Sequence, residues 1–195
     1  MWHNDKIVIK EMVDESCLQA VKQLLAVLQI PVKQLYPGLV ILRSALTAQE
    51  MQNLTARLAA QGYHPEPDKT AQMVLAVKAL VATVYGGTFP FTAGFLFGPW
   101  AQEQLGEDYP HAARLFAATT GMTPENYILH YRIEKIKEWL VYTDDSVAAI
   151  AARLGFKHAV QLSAQLKAYT GLNTAYFRKI RHDKALLRAR SSSGT

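Results

Sequence analysis

Leu115-Phe-Ala-Ala-Thr-Thr-Gly-Met-Thr-Pro-Glu-Asn-Tyr127 and Gln165-Leu-Lys-Ala-Tyr-Thr-Gly-Leu-Asn-Thr-Ala-Tyr-Phe177 are two copies of one pattern, brought into register by Gly121 and Gly171. Phe116 falls on Leu166, Ala118 on Ala168, Thr120 on Thr170, Met122 on Leu172 and Tyr127 on Phe177. A repeat of this size implies one supersecondary module used twice. Around the second copy, Ser146 is placed to cap a helix carrying Val147, Ile150, Ala151 and Leu154. Gly155 stops that helix, and an amphipathic helix over 158–170 follows with Leu162 and Leu166 inward. Two short helices joined by a tight glycine turn make a helix-turn-helix. The first copy repeats the order: a helix over 100–105, Gly106, then a helix over 110–120 with Leu115 and Phe116 inward. The helix expected over 123–142 is about 20 residues and on the order of 30 Å long, which would set the two units about one turn of DNA apart.

Charge runs in the same direction. Residues 1–97 carry 8 Lys/Arg against 7 Asp/Glu, whereas residues 151–195 carry 9 basic residues and one acidic residue, Asp183. A basic C-terminal segment suits a polyanion such as nucleic acid. One cysteine, Cys17, excludes an internal disulfide and fits a reducing, cytoplasmic location. No secretory leader pattern and no uncharged apolar run long enough to span a bilayer is present, so no membrane association is expected. No nucleophile, base and orienting group stand together, so neither enzymatic activity nor a cofactor is expected.

The N-terminal third reads differently. Residues 6–10 alternate as a half-buried strand, and Ser16 is placed to cap a helix whose face is Leu18, Val21, Leu24, Leu25 and Leu28. Short strands over 32–36 and 39–42 flank Pro37-Gly38. Thr47 and Glu50 form a capping box for a helix bearing Met51, Leu54 and Leu58. His64-Pro-Glu-Pro-Asp68 is the best linker candidate. The fold class expected is therefore α+β: a small ferredoxin-like βαββα(β) domain over 1–67, an all-α double helix-turn-helix domain over 68–183, and a disordered basic and serine-rich tail over 184–195.

The C-terminal motifs resemble the AraC/XylS family of bacterial transcription regulators, whose DNA-binding domain has two helix-turn-helix units joined by a long helix. The stretches that carry the resemblance are Leu115-Phe116 with Thr120-Gly-Met-Thr-Pro124; Tyr127 with the helix Arg132-Ile-Glu-Lys-Ile-Lys-Glu-Trp-Leu140; Ser146-Val-Ala-Ala-Ile-Ala-Ala-Arg-Leu-Gly-Phe156; and Leu166-Lys-Ala-Tyr-Thr-Gly-Leu172 with Tyr176-Phe-Arg178. The resemblance implies a sequence-specific regulator that places two units in successive major grooves of double-stranded DNA, contacts RNA polymerase, and forms a homodimer through its N-terminal domain. It also implies the reading positions: Pro110, His111, Ala113 and Arg114 in the first unit, and Ala159, Val160, Gln161, Ser163 and Ala164 in the second. Arg114 suits guanine and Gln161 suits adenine. Lys157, His158, Lys167 and Arg178 are expected on the phosphate backbone.

Several residues depart from that pattern. Ala113, Ala159, Val160 and Ala164 offer no donors, which leaves open a second reading, a degenerate helix-turn-helix and metal-domain-like protein that acts as a protein-interaction module. Gln102 stands where a small residue is expected at the helix crossing, and Glu107 and Asp108 put negative charge just before the first reading helix, where they would cap it. The segment from Glu11 to Cys17, with Gly62-Tyr63 further on, resembles a heavy-metal-associated domain. That family carries two loop cysteines; here Asp14 takes the first position and only Cys17 remains, a weak metal candidate because a soft metal wants two thiolates.

Overall fold

In the computed structural model the described residues are 5–12 and 14–192. The chain is mostly helical, with a small three-stranded sheet near its N-terminus. In chain order the elements are β1 (Lys6–Val8), α1 (Glu15–Val27), β2 (Val32–Tyr36), β3 (Leu39–Leu42), α2 (Ala48–Ala59), α3 (Lys69–Tyr85), α4 (Phe97–Leu105), α5 (Tyr109–Thr120), α6 (Pro124–Tyr142), α7 (Val147–Arg153), α8 (Ala159–Thr170) and α9 (Thr174–Ser192). By their contacts they gather into two compact units. Among the described residues, one comprises those up to 83 and 92–124, the other 84–91 and those from 125 onward.

In the first unit, β3 lies between β1 and β2 and is antiparallel to both. Pro37 and Gly38, the latter at φ 80°, turn β2 into β3 with the left-handed residue where a type II turn needs it. Ile7, Ile9, Val40 and Leu42 join Val21, Leu24, Leu25, Leu54 and Leu58 of α1 and α2 in one core cluster. β1 was expected to alternate as a half-buried strand, yet Lys6, Ile7 and Val8 are all buried, as is every residue of β3. The reason is that the opposite sheet face is covered too. A Cβ on Gly38 would lie 3.8 Å from that of Ala79 in α3, and the Tyr36 hydroxyl donates to Gln104 Oε1 of α4 at 2.8 Å.

Local chemistry sets the helix ends. α1 starts earlier than the Ser16 cap would place it: Asp14 is the N-cap, accepting from the Cys17 N–H at 2.9 Å and from the Ser16 hydroxyl at 2.7 Å. Aspartate is the stronger acceptor and gains from the helix dipole. The Thr47–Glu50 capping box forms as expected, with both reciprocal bonds present. Residues 64–68, read above as a linker, are tied to the sheet instead. Pro65 bridges Ile9, the Glu66 N–H donates to the Val8 carbonyl at 2.8 Å, and Lys10 pairs with the Glu66 carboxylate. The prolines terminate regular structure without releasing the chain, because β1 presents an edge with unpaired backbone groups.

In the second unit, residues 84–91 pack on α6 and α7. Gly87 lies so close to Trp139 that a Cβ would meet the indole at 2.6 Å. The Arg153 guanidinium stacks on that indole at 4.1 Å, donates through Nε to the Gly87 carbonyl at 3.3 Å and pairs with Asp145 at 2.5 Å. α9 runs to Ser192, so the segment from 184, expected without order, is helical up to that residue; 193–195 lie outside the described residues. Lys184 explains part of the extension, since its ammonium lies 4.4 Å from the Tyr142 ring and donates to the Tyr142 hydroxyl at 3.0 Å. Ala185 to Arg190 are also good helix formers, and the serine run begins only at 191.

Candidate nucleic-acid interface

The sequence repeat is a repeat of geometry. α5 and α8 each have 12 residues and end on a left-handed glycine, Gly121 and Gly171, both at φ 75°. The Gly121 N–H donates to the Ala117 carbonyl at 2.9 Å and the Gly171 N–H to the Lys167 carbonyl at 2.8 Å. The threonine before each glycine closes the turn. Thr120 donates to the Phe116 carbonyl at 2.8 Å and accepts from the Met122 N–H at 3.4 Å. Thr170 donates to the Leu166 carbonyl at 2.7 Å and accepts from the Leu172 N–H at 3.1 Å. This is how a helix end satisfies its orphan carbonyls.

Burial repeats as well. Ala112 and Phe116 are the buried positions of α5, and Leu162 and Leu166 are those of α8. Leu115, expected inward, is only half-buried, because Ala112 and Phe116 complete the i, i+4 stripe. The outward face of α5 is Pro110, His111, Arg114 and Ala118; that of α8 is Val160, Gln161, Ala164 and Ala168. Thus His111, Arg114, Val160, Gln161 and Ala164 stand on exposed faces, while Ala113, Ala159 and Ser163 are half-buried. Ala118 and Ala168 were missed, although one more step of four residues beyond Arg114 and Ala164 reaches them.

The helices that pair with these differ in detail. In α4 the buried small residue is Ala101, matched in α7 by the buried Ala151. Gln102 is exposed, and its Oε1 accepts from the Tyr109 N–H at 3.2 Å, at the start of α5. Asp108 is the N-cap of α5, accepting from the His111 N–H at 3.1 Å, so this carboxylate is taken up locally. α7 is capped by Ser146, as the sequence indicated, through the Ala149 N–H at 3.1 Å. After it Gly155, at φ 71°, lies so close to Phe91 that a Cβ would meet the ring at 2.6 Å. Phe156 in the same turn lies under the Arg132 guanidinium of α6, at 3.6 Å from the ring centroid. Burial lowers the Arg132 pKa, with Tyr85 on the other side acting weakly against that shift.

The basic side chains sort by what they already touch. Lys157, His158 and Lys167 are exposed around α8. Arg178, expected on the phosphate backbone, is bonded within the fold. Its guanidinium donates to the carbonyls of Leu140 at 3.1 Å, of Thr143 at 2.7 Å and of Asp145, and so closes the C-terminus of α6. Arg181 pairs with Asp144. Gln161 accepts the Lys157 N–H at 3.1 Å through Oε1, so its acceptor is used on the backbone just before its own helix. At the other end of the chain, Asp14 serves as a helix cap, and Cys17 is half-buried with its thiol hydrogen-bonded to Tyr63, which raises the Tyr63 pKa. Among the described residues no group of three or more His, Cys, Asp or Glu side chains is arranged to hold a metal ion, and no helix is long and apolar enough to cross a membrane.

Residues 103–188 match the family model described as a helix-turn-helix domain, and this part of the chain carries such a domain. No curated protein matches the chain. Among solved structures, the C-terminal domain of the two-component response regulator yesN from Fusobacterium nucleatum is similar at 22% identity and a TM-score of 0.42, over 52% of this chain and 96% of that one. A transcriptional regulator from Chromobacterium violaceum, described as having an AraC-type DNA-binding domain, is similar at 19% identity and a TM-score of 0.45, over 54% and 91%. The C-terminal domain of AraT, a response regulator from Geobacillus stearothermophilus, is similar at 18% identity and a TM-score of 0.48, over 58% and 89%.

Proposed function

We propose that this chain is a sequence-specific DNA-binding transcription regulator of AraC type, acting by binding and not by chemistry. The observation that carries the reading is the doubled module. Two helices of equal length, with their buried residues at the same two positions and matching C-terminal turns, each present one outward face and follow a helix with a buried alanine, Ala101 or Ala151. A helix of this kind enters a major groove of double-stranded DNA and reads base edges. Arg114 is the base reader of α5, with Lys157, His158 and Lys167 on phosphates. Arg178 is left out of the phosphate set.

The N-terminal unit is read as a ferredoxin-like scaffold. Placing β3 between β1 and β2 corresponds to a split β-α-β arrangement, and the Ile9–Pro65 bridge stands at the β1 edge where a fourth strand would pair. Its likeness to a heavy-metal-associated domain is one of scaffold, since Asp14 spends its carboxylate on a helix cap. Homodimerisation through this unit, contact with RNA polymerase and a cytoplasmic location complete the proposal; the outer strand β2, with exposed Lys33 and Gln34, supplies an edge for a partner.

A mobility-shift titration with genomic promoter fragments and scrambled competitor tests the central reading. Specific retention is expected, with affinity falling at least about a hundredfold between about 50 and about 200 mM salt. Retention no better than that of an unrelated protein of equal charge would overturn it.

A further inference from the structure

α5 and α8 share a scaffold but not a surface. The outward positions of α5 hold a guanidinium and an imidazole, Arg114 and His111. At the corresponding positions of α8 stand Ala164 and Gln161, with Val160 one turn before Ala164. Val160 is 77% exposed, the highest figure among the exposed large hydrophobic side chains described. Val160, Ala164 and Ala168 follow at four-residue steps, so their methyl groups form one stripe along the helix. Hydrogen-bond donors are scarce there. Ser163 is half-buried, and Gln161 uses its side-chain oxygen on the Lys157 N–H, which leaves an amide nitrogen alone where adenine asks for a donor and an acceptor.

The rim of the stripe is cationic, through Lys157 and Lys167, with the His158 ring beside Lys157. An apolar centre with a positive rim is complementary to a groove whose walls are phosphate and whose floor carries methyl groups. Thymine is the base that presents a methyl in the major groove. A protein-docking helix of this length would anchor through large aromatic or long aliphatic side chains; this stripe has a valine and two alanines. We propose that α8 selects its DNA by seating thymine 5-methyl groups against Val160 and Ala164, so that its half of the site is defined by thymines and not by hydrogen-bonded purines. The proposal rests on the DNA-binding reading above and adds the base class recognised by one unit.

The test uses the full chain and the DNA it selects from a random-sequence pool. Each thymine of the selected site is replaced singly by deoxyuridine, which removes only the methyl, and binding is measured for the wild type and for Val160→Ala. Circular dichroism checks that the variant folds, as it should at so exposed a position. For the wild type, one or two replacements are expected to weaken binding about fourfold each, the worth of one buried methyl. In Val160→Ala the penalty at one of those positions should largely vanish. Three outcomes overturn the proposal: no thymine whose methyl matters, penalties unchanged in Val160→Ala, or a selected site without thymine in the segment that Val160→Ala relaxes. Failure to select any sequence would overturn the DNA-binding reading itself, which separates the two failures.

Discussion

Arg178 and Arg114 are both arginines in the basic half of the chain, but Arg178 is engaged with carbonyls of its own fold while Arg114 stands exposed on α5. Arg178 feeds three carbonyls at the C-terminus of α6, and such bonds to a charged donor are worth more than neutral ones. Arg178→Ala should therefore destabilise the fold by about 2 kcal/mol in chemical denaturation. Arg178→Lys should recover little, because an ammonium cannot reproduce the planar fork. Asp14 gives a second residue-level prediction. The Cys17 N–H first, and then the Ser16 hydroxyl, hold its carboxyl at a pKa of about 2, below the ordinary 3.8. A carboxylate favoured in the folded state stabilises above its ordinary pKa and stops doing so as it protonates. Stability should fall as pH drops from about 3.8 to about 2, and Asp14→Asn should flatten that part of a stability-against-pH curve.

The elements were legible in the sequence to different depths. The repeat around Gly121 and Gly171 carried α5 and α8 because each copy contains its own stop signal, a threonine and a left-handed glycine. The faces of α1 and α2 followed from apolar spacing and from the Thr47–Glu50 box. What escaped was tertiary: β1 buried on both sides because α3 and α4 cover the second sheet face, residues 64–68 held on the β1 edge, and α9 prolonged where Lys184 meets Tyr142. Sequence spacing marks an amphipathic face, but it does not say which basic residues are bonded inside the fold, as Arg178 is. The glycines permit a graded test. Gly121→Ala and Gly171→Ala should each cost about 1 kcal/mol, the strain of a left-handed alanine, since a Cβ at either position meets nothing within 4 Å. Gly155→Ala should cost distinctly more, because its Cβ also meets Phe91 at 2.6 Å. Thermal unfolding of the three variants orders them; equal costs would contradict the packing at Gly155.

In the whole molecule, the proposed function would rest on two unequal faces. On that proposal α5 would read with the Arg114 guanidinium and α8 with methyl groups and one amide, while Lys157 and Lys167 would add affinity without choice. Lys167→Ala should weaken binding to all sequences alike and reduce the salt slope by about one phosphate's worth. Arg114→Ala should cost about 1–3 kcal/mol on the preferred site and less on scrambled DNA. The most direct measurement is selection of bound DNA from a random pool by the wild type, by Arg114→Ala and by Gln161→Ala with Val160→Ala, each as the full chain. The first variant should relax one block of the selected site and the second a different block, with the remainder unchanged. If both relax the same block, or if neither alters the selected sequence, the two helices do not each read DNA.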